Sequence, residues 1–214
     1  MAKIYAFDAY GTLLDVHSAV RRVIGDSPDA QQLSAIWRTK QLEYTWVHTL
    51  MGQYQDFWAL TVAGLAFARA QVPILTDAQH QQLLDAYMIL DCFGEVPEVL
   101  HRLQQAGHRL AVLSNGTDEM LTAALSHAGI DMLFDDVLSV DPLQKFKTQP
   151  AVYQLVLDRY GCAPGDVQFQ SSNRWDIAGA HSFGFATNWI NRSGQPDEYL
   201  AFPADRALRD LRGL

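Results

Sequence analysis

The chain has 214 residues, 49% hydrophobic and 19% charged, which excludes a disordered or fibrous protein and leaves room for one ordinary domain carrying an insertion. A formal charge of −8 argues against nucleic acid or anionic membrane as partners. Only Cys92 and Cys162 are present, and neither a secretory leader nor a membrane-length apolar run is read, so a reducing, cytoplasmic setting is expected.

The first apolar run, IYAFDAYGTLLD, reads as a buried strand that stops at Asp8 and turns at Gly11. From about Asp15 to Gly94 the pattern is almost wholly helical. AQQLSAIWRTKQLEYTWVHTLM, FWALTVAGLAFARA and DAQHQQLLDAYMIL carry apolar residues three and four apart, separated by polar breaks and Pro73. VPEVLHRLQQAG continues as a helix, HRLAVLSNGT as a strand and DEMLTAALSHAG as a helix; DDVLSV, DVQFQSSNRWD and GFATNWIN supply three further strands. Strands alternating with helices imply a parallel sheet covered on both faces. The expected fold class is therefore α/β, a Rossmann-like parallel sheet core with an inserted helical cap subdomain. Residues 1–14 and 95–214 would form the core and residues 15–94 the cap, seated over the strand ends.

Ligands of open parallel sheets bind beyond the carboxyl ends of the strands. Asp8, the Ser114–Asn115 pair and the cluster from Ser171 to Asp176 all fall there. Taken singly, each has a plain structural explanation. Asp8 can be a nucleophile, a metal ligand or a turn cap. Arg38, beside Trp37 in a helix, can simply lay its stem on apolar surface. Ser114, Asn115, Ser171, Asn173 and Asp176 suit strand-to-helix caps, and Lys147 could be solvated like its neighbour Lys145. The seven histidines show no paired metal-ligand spacing.

The motifs taken together say more. FDAYGTLLD resembles the first motif of the haloacid dehalogenase superfamily, and Ser114, Lys147 and Asp176 fall where its other motifs place them. FDAYGTLLDV, WRTKQLEYTW, LSNG and SSNRWDIAGA resemble the L-2-haloacid dehalogenase branch over essentially the whole chain. Phosphatases of the superfamily carry a second aspartate two positions after the first, and this chain has Tyr10. A leaving halide needs no proton, whereas a leaving alkoxide usually does.

The resemblance implies that Asp8 attacks a 2-haloacid and forms an ester, with Lys147 beside it and Asp176 aiding the hydrolytic water. Ser171 and Asn173 would hold Asp8. Arg38 would engage the halide, with Asn115 in reach, while Ser114, Asn115 and Gly116 hold the substrate carboxylate. Ala9, Tyr10, Thr12, Leu42, Phe57 and Trp175 would complete the binding site. SSN and Tyr10 deplete the acidic oxygens that magnesium favours, so no metal and no cofactor is expected. Partners would be the haloacid, halide and a second copy in a homodimer. Thr39 and Arg174 depart from the family pattern and are candidates for altered preference, and Thr148 stands where the family usually has a proline after the lysine, which bears on the geometry of that loop. A magnesium-dependent phosphatase and a catalytically silent carboxylate-binding module stand as alternatives.

Overall fold

A computed structural model describes residues 3–214. Its sheet has six parallel strands in the order β3-β2-β1-β4-β5-β6: β1 (Ile4–Phe7), β2 (Arg109–Ser114), β3 (Asp136–Ser139), β4 (Val167–Ser171), β5 (Ala186–Ile190) and β6 (Arg206–Leu208). Five match the expected runs. The sixth was not anticipated, because β6 is three residues long and exists only through its pairing with Asn188–Ile190 at the sheet edge.

The chain order reverses at β1, which pairs with β2 on one side and β4 on the other. Its end is thus the switch point of the sheet, flanked by Ser114 and Ser171. Buried Ala6, Phe7, Val112, Leu113 and Phe169 fill the strands, so Asp8 leaves the core with little freedom of direction.

Between β1 and α5 (Val96–Gln105) run four helices: α1 (Ser18–Ile24), α2 (Pro28–Met51), α3 (Phe57–Gln71) and α4 (Asp77–Tyr87). Their boundaries follow local chemistry. Ser27 accepts from Ala30 N–H and Pro28 opens α2, while Gly52 closes it at φ 65°. Asp56 caps α3, and Thr76 with Gln79 forms a reciprocal capping box on α4. Helix α2 packs on α3 closely enough that a Cβ at Gly64 would lie 3.2 Å from the Gln41 nitrogen. The Trp37 indole donates to the Thr61 carbonyl at 2.8 Å across the same contact. Helices α6 (Asp118–His127), α7 (Pro150–Tyr160) and α8 (Arg174–Phe183) complete the α/β layers. No helix among the described residues is long and apolar enough to cross a membrane.

Candidate active site

Asp8 is held from every side. Its N–H continues the parallel ladder to the Gln170 carbonyl at 2.9 Å. Its Oδ2 accepts from Asn173 Nδ2 at 2.8 Å, Thr12 Oγ1 at 3.0 Å and, more distantly, Ser171 Oγ at 3.4 Å. Its Oδ1 accepts from Lys147 Nζ at 2.9 Å. The Ala9 carbonyl receives the N–H groups of Thr12, Leu13 and Leu14, which curls the following turn and brings Thr12 back to the carboxylate. Asn173 occupies the N-cap position of α8, yet its side chain goes to Asp8 rather than to the helix.

Lys147 is 1% exposed, and its ammonium also reaches Asp176 Oδ2 at 2.8 Å. The other Asp176 oxygen accepts from the Tyr153 hydroxyl at 2.9 Å. One cation thus serves two buried carboxylates. Burial opposes the charge on Lys147, but Asp176 and then Asp8 outweigh it and raise its pKa. Burial pushes Asp176 up to about 6; Lys147 opposes that shift and the Asp8 charge adds to it. The same surroundings, burial first, hold Tyr153 protonated far above the usual phenol range. Lys145 is exposed, and the peptide joining Lys147 to Thr148 is cis.

Arg38 reaches over from α2. Its Nη2 donates to the Tyr10 carbonyl at 3.0 Å and approaches Asn173 Oδ1 at 3.5 Å, while Nη1 donates to Gln41 Oε1 at 2.8 Å. Gln41 is fixed in turn by Thr61 and Tyr87, so a buried polar network orients the guanidinium. The sequence reading missed Gln41, Thr61 and Tyr87. Their only shared signal is polarity on otherwise apolar helix faces.

Tyr10 is buried among Phe57, 5.4 Å away between ring centroids, and Tyr87, at 5.9 Å. Its hydroxyl has no hydrogen-bond partner among the described residues. Gly116 makes room for that ring, since a Cβ there would lie 2.8 Å from Tyr10 Cε2. Phe146, also missed, extends the wall behind Phe57 and is touched by Tyr54. Ser114 Oγ accepts from Gly116 N–H, and Asn115 Oδ1 accepts from Lys147 N–H, tying the β2 loop to the lysine loop.

Other sites lie differently. Leu42 is half-buried beside Gln41, and Trp175 is half-buried with its ring edge-on to Trp46 at 5.5 Å, bordering an outer recess. Thr39 lines a separate groove with Phe67 and Gln71. Arg174 is 4% exposed; its Nε donates to Asp197 and its Nη2 to the carbonyls of Tyr199 and Phe202, while Nη1 has no partner among the described residues. It anchors the C-terminal segment. Arg192, unnoticed in the sequence, donates to the Thr12 carbonyl at 2.7 Å and pairs with Glu95 at 2.7 Å. Both cysteines are free. Among the described residues no group of three His, Cys, Asp or Glu side chains is placed to hold a metal ion.

This arrangement can orient a carboxylate nucleophile, keep a second carboxylate near the pH where it exchanges a proton, and present a permanent cation to a departing anion. A family model described as haloacid dehalogenase-like hydrolase matches residues 2–184. The chain is 46% identical over 211 residues to (S)-2-haloacid dehalogenase 4A of Burkholderia cepacia, covering 97% of this chain and 91% of that protein. A crystal structure of a dehalogenase superposes with TM-score 0.95 at 45% identity, covering 99% of this chain and 95% of that one. The L-2-haloacid dehalogenase of Xanthobacter autotrophicus with chloropropionic acid covalently bound superposes with TM-score 0.86 at 33% identity, covering 99% and 96%.

Proposed function

Because the chain belongs to the haloacid dehalogenase-like hydrolases, we propose that the cluster around Asp8 hydrolyses the carbon–halogen bond of L-2-haloalkanoic acids to give D-2-hydroxyalkanoic acids and halide. The protein is a hydrolase acting on carbon–halide bonds. The observation that carries the assignment of roles is that the Asn173 amide touches Asp8 with its nitrogen and approaches Arg38 with its oxygen. Nucleophile and anion acceptor therefore share one rigid spacer. An acid for the leaving group is unnecessary, in keeping with Tyr10 two positions after Asp8.

Asp8 Oδ1 attacks the α-carbon from the face opposite the halogen. The carbon–halogen electron pair leaves with the halide toward Arg38, and an Asp8 ester forms. Oδ1 is the attacking atom because among the described residues its single protein donor is Lys147, whereas Oδ2 is occupied by Thr12, Asn173 and Ser171. Water then gives a proton to Asp176 and adds to the Asp8 carboxyl carbon. The bond from that carbon to the former Oδ1 breaks, that oxygen takes the proton from Asp176 and leaves as the hydroxyl of the product, and the regenerated Asp8 carboxyl releases the second water proton to solvent. Lys147 offsets negative charge on the Asp8 carboxyl group throughout. Ser114, Asn115 and Gly116 face the substrate carboxylate, with Tyr10, Leu42, Phe57 and Trp175 enclosing the carbon chain. Residues 15–94 act as the cap that excludes bulk water and delivers Arg38. Free cysteines support a cytoplasmic setting, and exposed Val47, Leu50 and Met51 at the end of α2 supply apolar surface that a homodimer would cover.

Incubation with L-2-chloropropionate should release chloride and give inverted product by chiral chromatography, with the D-enantiomer unreactive. In a single turnover in ¹⁸O-water the label should enter Asp8 and not the product. Retained configuration, or label found first in the product, overturns the scheme.

Substituting Asp176→Asn separates the two steps. Displacement should persist while hydrolysis falls by about 10³-fold, giving one equivalent of halide and a stable adduct on the Asp8 peptide by mass spectrometry. In the native enzyme hydrolysis requires the Asp176 carboxylate, so turnover should fall as pH drops through about 6 and level off above it. A flat profile between pH 5 and 7 would contradict this assignment.

A further inference from the structure

Behind Arg38 lies a cavity of about 390 Å³ to which Arg38 and Asn173 contribute, while Asp8 and Lys147 stand outside its lining. The wall between nucleophile and cavity is thus the same Arg38–Asn173 contact that meets the departing anion. Two further arginines border it. Arg192 lies flat on Phe93, its guanidinium carbon 3.7 Å from the ring centre, and its Nε is buried without a partner. Arg21 is 45% exposed and pairs with Asp15. Three arginines face two acids, Asp15 and the Glu95 that pairs with Arg192, which leaves local positive charge within a chain of net charge −8. His17 and Arg21 also line a second cavity of about 260 Å³ between α1 and α2.

The reaction makes a separate anion route useful. After displacement the carboxyalkyl group of the substrate is still bonded to Asp8 and fills the chamber just as the hydrolytic water must reach it. A halide that leaves past Arg38 vacates the chamber without displacing the ester. Guanidinium groups are weakly hydrated and cannot lose their charge, so successive arginines let an anion move between charge-assisted contacts without being fully exposed to an apolar wall.

We propose that this cavity is the halide exit, and that Arg21 forms a second halide station at its outer end, beyond Arg38. The proposal rests on the dehalogenase reading above. The cation excess draws the anion outward against the global negative field, and the Asp15 partner makes the hold of Arg21 on it weak enough for release.

Variants Arg21→Gln and Arg21→Lys test this. Three quantities are measured on the full-length enzyme: inhibition of turnover by added bromide, KM for L-2-chloropropionate, and the single-turnover rate of chloride formation. Arg21→Gln should raise the bromide inhibition constant about threefold to fivefold, the scale of one partly exposed charge contact. KM and the single-turnover rate should stay within twofold of wild type. Arg21→Lys should restore bromide inhibition, which separates charge from packing. As a readout free of substrate, bromide should still raise the melting temperature of an Arg38→Ala variant, and adding Arg21→Gln should remove that shift.

An unchanged inhibition constant in Arg21→Gln overturns the proposal. So does a raised KM with unchanged bromide inhibition, which would make the cavity a path for the incoming carboxylate. Absence of any halide release by the wild-type enzyme would instead refute the dehalogenase reading itself.

Discussion

Replacing Asp8 by asparagine is expected to lower halide release from L-2-chloropropionate by about 10⁴-fold or more without unfolding the protein. The amide matches the carboxylate in shape but has lost the negative charge that makes the oxygen nucleophilic enough to displace a halide. Stability should move little, or upward. In the native protein one buried ammonium faces two buried carboxylates. The substitution leaves Lys147 and Asp176 as a one-to-one pair and removes the excess negative charge. Asp8 is one of the groups holding Asp176 at about 6, so the Asp176 pKa should fall in the variant. Halide assays, thermal melts and carboxyl NMR titration check the three statements. A variant that keeps native turnover would end the claim that Asp8 is the nucleophile.

Replacing Lys147 by methionine is expected to have the largest effect on stability. The methionine stem fits the space beside Phe169, over which the ammonium now sits at 5.2 Å, but two buried carboxylates are left without their cation. Breaking such a buried pair typically costs about 3–5 kcal/mol near neutral pH. The sign of the pH dependence follows from Lys147 lowering the Asp176 pKa in the native protein. Without it that pKa rises further, so the folded state binds a proton more tightly than the unfolded state. Stability is then greatest at low pH and is lost as pH rises through the folded pKa. Denaturant melts from pH 5 to pH 8 should therefore show the variant approaching wild type at the acid end and falling away at the alkaline end. Activity should be lost across the range, because the developing charge on the Asp8 carboxyl group goes uncompensated. A uniform deficit at every pH would mean that packing, not charge, accounts for the loss.

Much of this was legible in the sequence because it is local. Asp8, Ser114 and Ser171 stand at the ends of apolar runs that announce buried strands, and parallel topology alone sets those ends side by side. The alternation of strands and helices was sufficient for the fold class. What escaped depends on contacts distant in sequence. Gln41 meets Thr61 and Tyr87 across three helices, and its own neighbourhood in the chain is an ordinary amphipathic pattern. Arg192 lies outside every motif and matters through the Thr12 carbonyl and Glu95. Arg174 drew notice as an unusual residue next to Trp175, but its partners, Asp197, Tyr199 and Phe202, lie in a C-terminal segment with no periodicity to place it. The strand β6 was invisible for the same reason, since three residues carry no alternation and only the edge of β5 defines them.

In free solution the two oxygens of an aspartate are interchangeable, and the group has a mirror plane. The protein abolishes that symmetry. Asn173, Thr12 and Ser171 grip one oxygen from the β4 side and the turn, and among the described residues Lys147 alone meets the other. With rotation of the carboxylate blocked, an intrinsically achiral reagent becomes a handed one. Which of the two oxygens attacks is then set before any substrate arrives, by the fold crowding Oδ2 with three donors and leaving Oδ1 to Lys147.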